Sequence, residues 1–458
     1  MEEISSSNQS QELNRGLSDR HIQMIALGGA IGVGLFYGSA STIQMAGPAI
    51  TLSYIFGGFI IFIIMRALGE MAVANPLSGS FSAYAYRYVG PFAGFLTGWN
   101  YWFLWIVVGM ADLTAIGVYI NYWFPGIPHW VSALVALLLM AAVNLANVKA
   151  FGEFEFWFAA IKIVAILGMI ASGLFIILGV GQGQPLGLSN YWTHGGFLPN
   201  GLSGWALSLV MVMFSFGGVE LIGITAGEAK NPQSTIPKAI NNVFWRVLIF
   251  YVGAIGVMIA IYPWNEIGTQ GSPFVLIFDR IGIPAAASII NIVVITASLS
   301  AFNSGLFSTG RMLYNLAHQQ SAPKAFGRLS PTGVPRNGIL FSTSIILIAV
   351  VLNYFLPSRA FIILSAITTF SMVITWTGIL LTQRKFRRSL SSEQVEQLAF
   401  KMPASKFLSS FALLFMVVML VLMSFIPDMR FALLVGPFWI LLLYFGYRFK
   451  LKYRNSDF

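Results

Sequence analysis

Long apolar runs without an ionisable side chain decide what this chain can fold into. Residues 342–355 and 407–425 contain no Asp, Glu, Lys or Arg, and a helix that crosses a bilayer needs about 20 mostly apolar residues. Only 9% of the 458 residues are charged, whereas roughly a quarter are charged in an ordinary soluble domain. A polar shell therefore cannot cover this chain, and the sequence predicts an all-α polytopic membrane protein.

The apolar runs predict twelve transmembrane helices. Their expected bounds are 21–43, 48–72, 91–122, 130–148, 154–180, 203–226, 242–263, 284–312, 338–356, 359–382, 407–426 and 431–448. Residues 1–20 lack the apolar core and cleavage site of a signal peptide, so they are interpreted as a cytoplasmic tail. The predicted order is the tail 1–20, a ten-helix core 21–382, a cytoplasmic loop 383–406, two helices within 407–448 and a cytoplasmic tail 449–458.

The basic residues follow the predicted sides of the membrane. The outside connections contain only Arg280, Arg359 and Arg430, whereas the inside connections include the basic cluster at 384–388. Lys and Arg accumulate in cytoplasmic loops, so both termini are predicted to be cytoplasmic. This topology accounts for the net charge of +10, and the lipid bilayer, not nucleic acid, is the expected partner. A basic patch for lipid head groups or nucleic acid is the alternative.

Residue types that carry covalent or metal chemistry are scarce. The sequence has no cysteine, and its four histidines do not form the i, i+3 or i+4 pairs that suit a helical metal site. We therefore expect no metal and no other cofactor. The rival classes are a membrane enzyme, which would need converging acids or histidines, and a channel, which would need a filter loop or charged rings. The sequence favours neither.

Glycine clusters interrupt two of the predicted helices. Helix one contains Gly28, Gly29, Gly32 and Gly34, and helix six contains FSFGGVE at 214–220. Each glycine destabilises a helix by about 1 kcal/mol relative to alanine, so both runs are candidates for a break. Because the two helices are five apart, a second five-helix unit would have the opposite orientation, as in inverted repeats. The alternative is that Gly28 and Gly32 only permit close helix packing.

A broken helix offers binding groups without charged side chains. The half that follows the break begins with unpaired N–H groups, and the half before it ends with unpaired carbonyls. The N–H end suits a carboxylate and the carbonyl end suits an ammonium. Two crossed broken helices can therefore hold a zwitterion, and the expected ligand is an α-amino acid.

Motifs along the whole chain resemble those of one known family. They are IGVGLFYGSA (31–40), AGP (46–48), MRALGEM (65–71), FGEFEFWFAAIK (151–162), FSFGGVELIGITAGEAKNP (214–232), SPF (272–274) and NSGLFSTGRMLY (303–314). The chain resembles the amino acid permeases of the amino acid, polyamine and organocation superfamily, most of all the bacterial branch with proline, threonine and histidine permeases. The resemblance implies a LeuT-like inverted five-plus-five helix repeat with helices 1 and 6 broken, plus helices 11 and 12. It also implies that an amino acid enters by proton symport across a bacterial inner membrane.

The resemblance assigns substrate-binding groups to both glycine-rich turns. The first turn, whose N–H groups would bind the substrate carboxylate, is Ile31, Gly32, Val33 and Gly34. The family often has Ser or Thr at the position of Val33, so no side-chain contact is expected there. The second turn, whose carbonyls would bind the ammonium, is Phe214, Ser215, Phe216, Gly217 and Gly218. Phe214 would cover the substrate, and Gly217 would leave room for it.

Three ionisable residues, Asp112, Lys162 and Glu220, are expected well within predicted helices, where each costs at least about 2.5 kcal/mol unless it is paired or functional. Lys162 is interpreted as the proton-coupling group, because the resemblance puts it where sodium-coupled relatives hold a sodium ion. A lysine that snorkels to the interface is the alternative. Glu220 would brace the sixth-helix turn or take part in a gate, and Asp112 has a gating or structural role. Arg66 and Glu70 are expected to pair, since they lie four residues apart on helix two.

Selectivity is expected to depend on side chains of helices three, six, eight and ten. The candidate pocket residues are Trp105, Met110, Ser300, Asn303, Ser365 and Thr368. No anionic cluster accompanies them, which disfavours a basic substrate. The favoured substrate is a small neutral amino acid, namely threonine, serine or proline. A histidine or aromatic amino acid permease of the same fold is the alternative.

Overall fold

The computed structural model describes residues 24, 31–77, 80–146, 148–180, 185–225, 231–267, 272–275, 284–356 and 359–454. Within these ranges the secondary structure is helical and contains no strand. The α-helices are α1 (Val33–Phe36), α2 (Gly38–Ala46), α3 (Ile50–Ala74), α4 (Ser80–Tyr88), α5 (Pro91–Asn121), α6 (His129–Ala146), α7 (Val148–Ile177), α8 (Gly201–Ser215), α9 (Leu221–Thr225), α10 (Pro232–Arg246), α11 (Ala254–Ile261), α12 (Pro284–His318), α13 (Arg336–Phe355), α14 (Ala360–Arg388), α15 (Ser392–Glu396), α16 (Ser405–Phe425) and α17 (Arg430–Arg454). A π-helical segment, Val247–Gly253, joins α10 to α11.

Ten helical stretches of the described ranges are long and apolar enough to cross a membrane. They are α2 with α3, α5, α6, α7, α10 with α11, α12, α13, α14, α16 and α17. The first and sixth predicted helices are the two that do not appear as continuous spans. The sixth is divided into α8 and α9, while residues 25–30 of the first, with Gly28 and Gly29, lie outside the described ranges. The all-helical, polytopic class is confirmed, whereas the twelve-helix inverted repeat stays a prediction.

Several helices extend past their predicted bounds. α14 continues to Arg388 instead of ending at 382, and the basic residues of its last turn suit the negative end of the helix dipole. α7 begins at Val148 instead of 154. Glu155 therefore lies two turns inside α7 instead of at its end.

A tight corner at Gly47 separates α2 from α3. Gly47 has a φ of +60°, and a Cβ atom there would lie 2.3 Å from Cγ of Pro199. Only glycine avoids both the strained backbone and the clash. The corner turns α2 away from α3 so that α2 packs along α8.

The centre of the bundle is formed by α5 and α14. The most apolar part of α5 is 83% buried, whereas that of α7 is only 22% buried, because much of the surface of α7 faces outward with exposed residues such as Val164 and Leu174. α12 and α14 pack along α5. The short helix α1 in turn contacts α5 and α12.

Glu70 near the end of α3 binds partners that are distant in sequence. Its carboxylate accepts hydrogen bonds from Arg387 Nε (2.7 Å) and Gln383 Nε2 (2.8 Å) on α14, and from the Met402 N–H (2.6 Å). Arg66 instead lies over the Phe400 ring and donates to the Lys401 carbonyl. The predicted Arg66–Glu70 hydrogen-bonded pair is therefore wrong. The structure connects α3 to α14 and to the segment before α16.

Glu70→Ala is expected to destabilise the protein by about 3 kcal/mol, because removing one partner leaves the other groups of a buried ion pair unpaired. The measurement is the Tm in detergent. Glu396→Ala, which changes an exposed carboxylate on α15, is the control and should leave the Tm unchanged. An equal Tm for both variants would contradict a stabilising role for the Glu70 contacts.

Candidate functional site

The start of α1 forms one side of the candidate site. Ile31 and Gly32 are not helical, and α1 begins at Val33. The N–H groups of Val33 and Gly34 belong to a first turn, which has no acceptor within the helix. A Cβ atom on Gly34 would lie 2.5 Å from Cα of Ser215. The first turn of α1 therefore lies directly against the end of α8.

The sixth predicted helix is interrupted beside this turn. α8 ends at Ser215, residues 216–220 form a turn, and α9 begins at Leu221. Gly218 has a φ of +95°, which side chains other than glycine rarely adopt. The Glu220 carboxylate accepts hydrogen bonds of 3.4 Å from the Gly218 N–H and from the Trp376 indole. Glu220 therefore contacts the backbone of the interruption, as the bracing role requires.

A small cavity lies between the two turns. Its lining residues are Gly32, Val33, Gly34, Trp105, Val108, Asp112, Phe214, Ser215, Gly217, Ala301 and Met372. The cavity brings together most of the first predicted turn, three residues of the second, and three side chains of α5. Backbone groups and one carboxyl group thus face a shared space.

The other predicted site residues are buried outside the lining. They are Ile31, Met110, Phe216, Gly218, Glu220, Lys162, Ser300, Asn303, Ser365 and Thr368. Asn303 accepts a hydrogen bond from the Asn144 amide (2.8 Å), and the Ser365 hydroxyl donates to the Ile362 carbonyl (2.9 Å). These two polar side chains therefore bind neighbouring protein groups.

Asp112 is the ionisable side chain that lines the cavity. It is 1% exposed, and neither carboxyl oxygen has a hydrogen-bond partner among the described residues. A buried carboxylate without a partner is strongly unfavourable. The group therefore requires a proton or a nearby positive charge, which Lys162 or a cationic ligand group inside the cavity can supply.

Lys162 points into the bundle. Its side chain is 0% exposed, and Nζ donates to the Ile31 carbonyl (3.1 Å) and to Ser300 Oγ (2.8 Å). The snorkelling alternative is therefore wrong. Lys162 joins α7 to the non-helical residues that precede α1.

Comparison with known proteins identifies the family of this chain. The family model described as "Amino acid permease" matches residues 21–457. The chain belongs to the amino acid permease family. The resemblance inferred from the motifs is confirmed, and this permease is a multi-pass membrane protein of the amino acid, polyamine and organocation superfamily.

Curated relatives of the permease are bacterial proteins that match over nearly their whole length. The uncharacterized amino acid permease YtnA of Bacillus subtilis (strain 168) is 56% identical over 449 residues, which cover 97% of each chain. The aromatic amino acid transport protein AroP of Escherichia coli (strain K12) is 49% identical, with 96% of each chain covered. The probable threonine/serine transporter YbxG of Bacillus subtilis (strain 168) is 48% identical, with 95% of each chain covered. These relatives are described as permeases or transporters, not as enzymes.

Three lining residues of the permease were not predicted from its sequence, namely Val108, Ala301 and Met372. Val108 follows Trp105 by three residues and precedes Asp112 by four, so helical periodicity places all three on one face of α5. Ala301 lies next to the predicted Ser300, and a shift of one residue turns a side chain by about 100° around a helix. Helical periodicity was therefore sufficient to predict Val108. It does not show which faces of α12 and α14 line the cavity.

Proposed function

We propose that this permease imports a small neutral α-amino acid together with a proton. The observation that carries the proposal is the cavity between the start of α1 and the interruption after α8. The substrate carboxylate would lie at the N–H groups of Gly32, Val33 and Gly34, where the helix dipole favours a negative charge. The ammonium would lie at Asp112 and at the carbonyls of residues 214–218.

Bulky side chains on the cavity wall favour a small substrate. Trp105, Phe214 and Met372 all line the space, and a Cβ atom on Gly217 would lie only 1.9 Å from Cε of Met372. Little room remains beside the shared carboxylate and ammonium positions. This supports threonine, serine or proline, and the first two agree with the description of YbxG.

A histidine or aromatic amino acid is the second candidate. The description of AroP supports it, and the Trp105 and Phe214 rings line the cavity, where they would pack against a ring at an offset or an edge. Met372 is a flexible side chain, and its movement would open space for that ring. The two candidates differ in the size of side chain that the cavity accepts.

The proposed coupling ion is the proton, and the proposed coupling group is Lys162. An ammonium bound to the Ile31 carbonyl supplies a fixed positive charge beside α1, so a sodium ion there is unnecessary. The proposal includes the LeuT-like inverted repeat with helices 11 and 12, cytoplasmic termini, and a bacterial inner membrane, all supported by the family.

Uptake into proteoliposomes tests this function. Labelled threonine, serine, proline, histidine and phenylalanine are offered separately under an imposed inward proton gradient. Saturable, gradient-dependent accumulation of one of the first three is expected. Accumulation of only histidine or phenylalanine would favour the second candidate, and non-saturable flux would indicate a channel. Absence of uptake of every amino acid would contradict the proposal.

Gly217→Val is expected to discriminate among amino acids by size. The added methyl groups must displace Met372 into the cavity, and such overpacking costs about 1–3 kcal/mol, a roughly ten- to hundredfold loss of affinity for the larger substrates. Glycine and alanine should be affected least. The measurement is competition by unlabelled glycine, alanine, threonine, proline and histidine against the transported amino acid.

The double variant Gly217→Val with Met372→Ala is the matched control. It removes the side chain against which the valine packs, so part of the affinity for larger substrates should return. A uniform loss for every amino acid, with no recovery in the double variant, would mean that Gly217 affects only the backbone of the turn.

A further inference from the structure

A chain of buried polar side chains connects the start of the first helix to a second carboxyl group. Lys162 Nζ donates to the Ile31 carbonyl and to Ser300 Oγ, and Ser300 Oγ donates to Oε1 of Glu155 at 2.7 Å. Lys162, Ser300 and Glu155 are each 0% exposed. Glu155 and Lys162 are seven residues apart on α7, or about two turns. Both therefore reach the same hydroxyl of α12.

The hydrogen bonds from Lys162 through Ser300 to Glu155 all run in the same donor-to-acceptor direction. A serine hydroxyl carries one proton, and Ser300 uses it to donate to Glu155, so its oxygen accepts from the ammonium. In a concerted shift, one proton moves from Nζ to Oγ while the hydroxyl proton moves from Oγ to Oε1. Ammonium, hydroxyl and carboxylate become amine, hydroxyl and carboxylic acid. No proton is gained or lost, and no bond between heavy atoms changes.

Polar groups that can hydrogen-bond to a protonated Glu155 lie beside its carboxyl group. Its Oε2 atom has no hydrogen-bond partner among the described residues, and neither has the Ser304 hydroxyl. The Ser304 hydroxyl and the Asn303 amide lie beside the Glu155 carboxyl group, where both can donate to its charged form. A carboxylic acid can also donate one hydrogen bond, which a carboxylate cannot. Because a hydroxyl both donates and accepts, Ser304 can serve the protonated form of Glu155 as well as the charged one.

The surrounding charges are compatible with this shift. Among the described residues, Asp112 on α5 and Arg246 on α10 are charged groups that also act on Lys162. The neutral Asn303 and Asn144 lie on α12 and α6. Transfer from Lys162 to Glu155 converts an ammonium and a carboxylate into two neutral groups. The net charge of the buried cluster does not change, because one positive and one negative charge disappear together.

Building on the proposed function, we propose that Glu155 is the internal proton acceptor for Lys162 and that Ser300 is the relay between them. With the proton on Glu155, Lys162 is neutral and its hydrogen bond to the Ile31 carbonyl is weaker. Because that hydrogen bond holds Ile31, the residues just before α1 can then move more easily. Because Lys162 is fully buried, an internal acceptor lets its charge change without a path to water.

The test compares Ser300→Ala, Ser300→Thr and Glu155→Gln in proteoliposomes. Threonine accumulation under a pH gradient reports coupling, and threonine exchange without a gradient reports substrate binding and movement. A lost proton-transfer group typically slows a reaction by roughly a hundredfold or more, so Ser300→Ala and Glu155→Gln should lose accumulation at least about tenfold more than exchange. Ser300→Thr keeps the hydroxyl and should restore coupling.

Ser298→Ala is the matched control on the same helix. Ser298 is 0% exposed, and its hydroxyl donates only within α12, to the Val294 carbonyl, so this variant should behave like wild type. Equal losses of accumulation and exchange in Ser300→Ala and Glu155→Gln would indicate a structural role and overturn the relay. So would wild-type coupling in Glu155→Gln.

Infrared difference spectra of the purified protein keep the relay testable even if the wild type does not accumulate threonine. A temperature step, which shifts an internal proton equilibrium without adding or removing protons, should change the carbonyl band of a protonated carboxylic acid in wild type. That component should be missing in Glu155→Gln. Its persistence would overturn the relay. Failure of the proposed function would instead appear as a wild type that takes up no amino acid.

Discussion

Lys162→Ala is expected to lose all accumulation driven by a pH gradient. One pH unit is worth about 1.4 kcal/mol, which supports a roughly tenfold accumulation if one proton accompanies each substrate. Without the ammonium, the Ile31 carbonyl loses its donor, and Asp112 and Glu155 lose the nearby positive charge. The accumulation ratio should fall to about one. Exchange should persist at a reduced rate, because Lys162 does not line the cavity.

The measurement is uptake of labelled threonine under an imposed pH gradient, with and without sodium. Lys238→Ala is the control, since Lys238 is an exposed lysine on α10, and it should accumulate threonine like wild type. Full accumulation by Lys162→Ala, or a strict sodium requirement in wild type, would defeat the mechanism.

The importance of Lys162 could be read from the sequence, whereas the presence of Glu155 beside it could not. An ionisable residue inside an apolar run is costly, so Lys162 is conspicuous by itself. Glu155 was predicted at the edge of helix five, where a charged side chain reaches water easily. The structure begins α7 at Val148, which places Glu155 inside the helix and on the face of Lys162. An error of six residues in a helix boundary therefore concealed the carboxyl group that Lys162 reaches through Ser300.

The interruption of the sixth helix was also visible in the sequence, because two adjacent glycines weaken a helix wherever the rest of the protein places it. The partners of Glu70 were not visible. The helical i, i+4 spacing indicated Arg66, but Arg387 and Met402 are more than 300 residues away in sequence. The packing of α3 against α14 determines the partner of Glu70, and the spacing of residues within α3 carries no information about that packing.

The pocket shows where sequence reasoning reaches its limit. The segments that form the cavity were predicted, and on α5 both Trp105 and Asp112 line it. On α12 the prediction was Ser300, but Ala301 lines the cavity while Ser300 faces α7. Rotation of a helix about its axis depends on its neighbours, and the apolar residues all around a membrane helix do not reveal it.

The glycine of the first turn provides the second large expected effect. Gly32→Leu should abolish substrate binding, because the larger side chain displaces the turn from the carboxylate position. Each lost hydrogen bond to a charged group is worth about 1.5–3 kcal/mol, so losing two weakens affinity roughly a hundredfold or more. The measurement is equilibrium binding of labelled threonine to purified protein, with size-exclusion chromatography and Tm as folding checks.

The choice of Gly32 over Gly34 follows from what each would contact. A Cβ atom on Gly34 would meet the backbone of Ser215, which cannot move aside, whereas one on Gly32 would lie 3.3 Å from the Ala301 side chain. Gly34→Leu therefore threatens the packing of α1 on α8, while Gly32→Leu acts mainly on the turn. Gly168→Leu is the matched control, since Gly168 is exposed on α7 with nothing within 4 Å of its Cβ position. Normal affinity in a folded Gly32→Leu variant would remove the first helix from the substrate site, because no carboxylate could keep its N–H donors through that displacement.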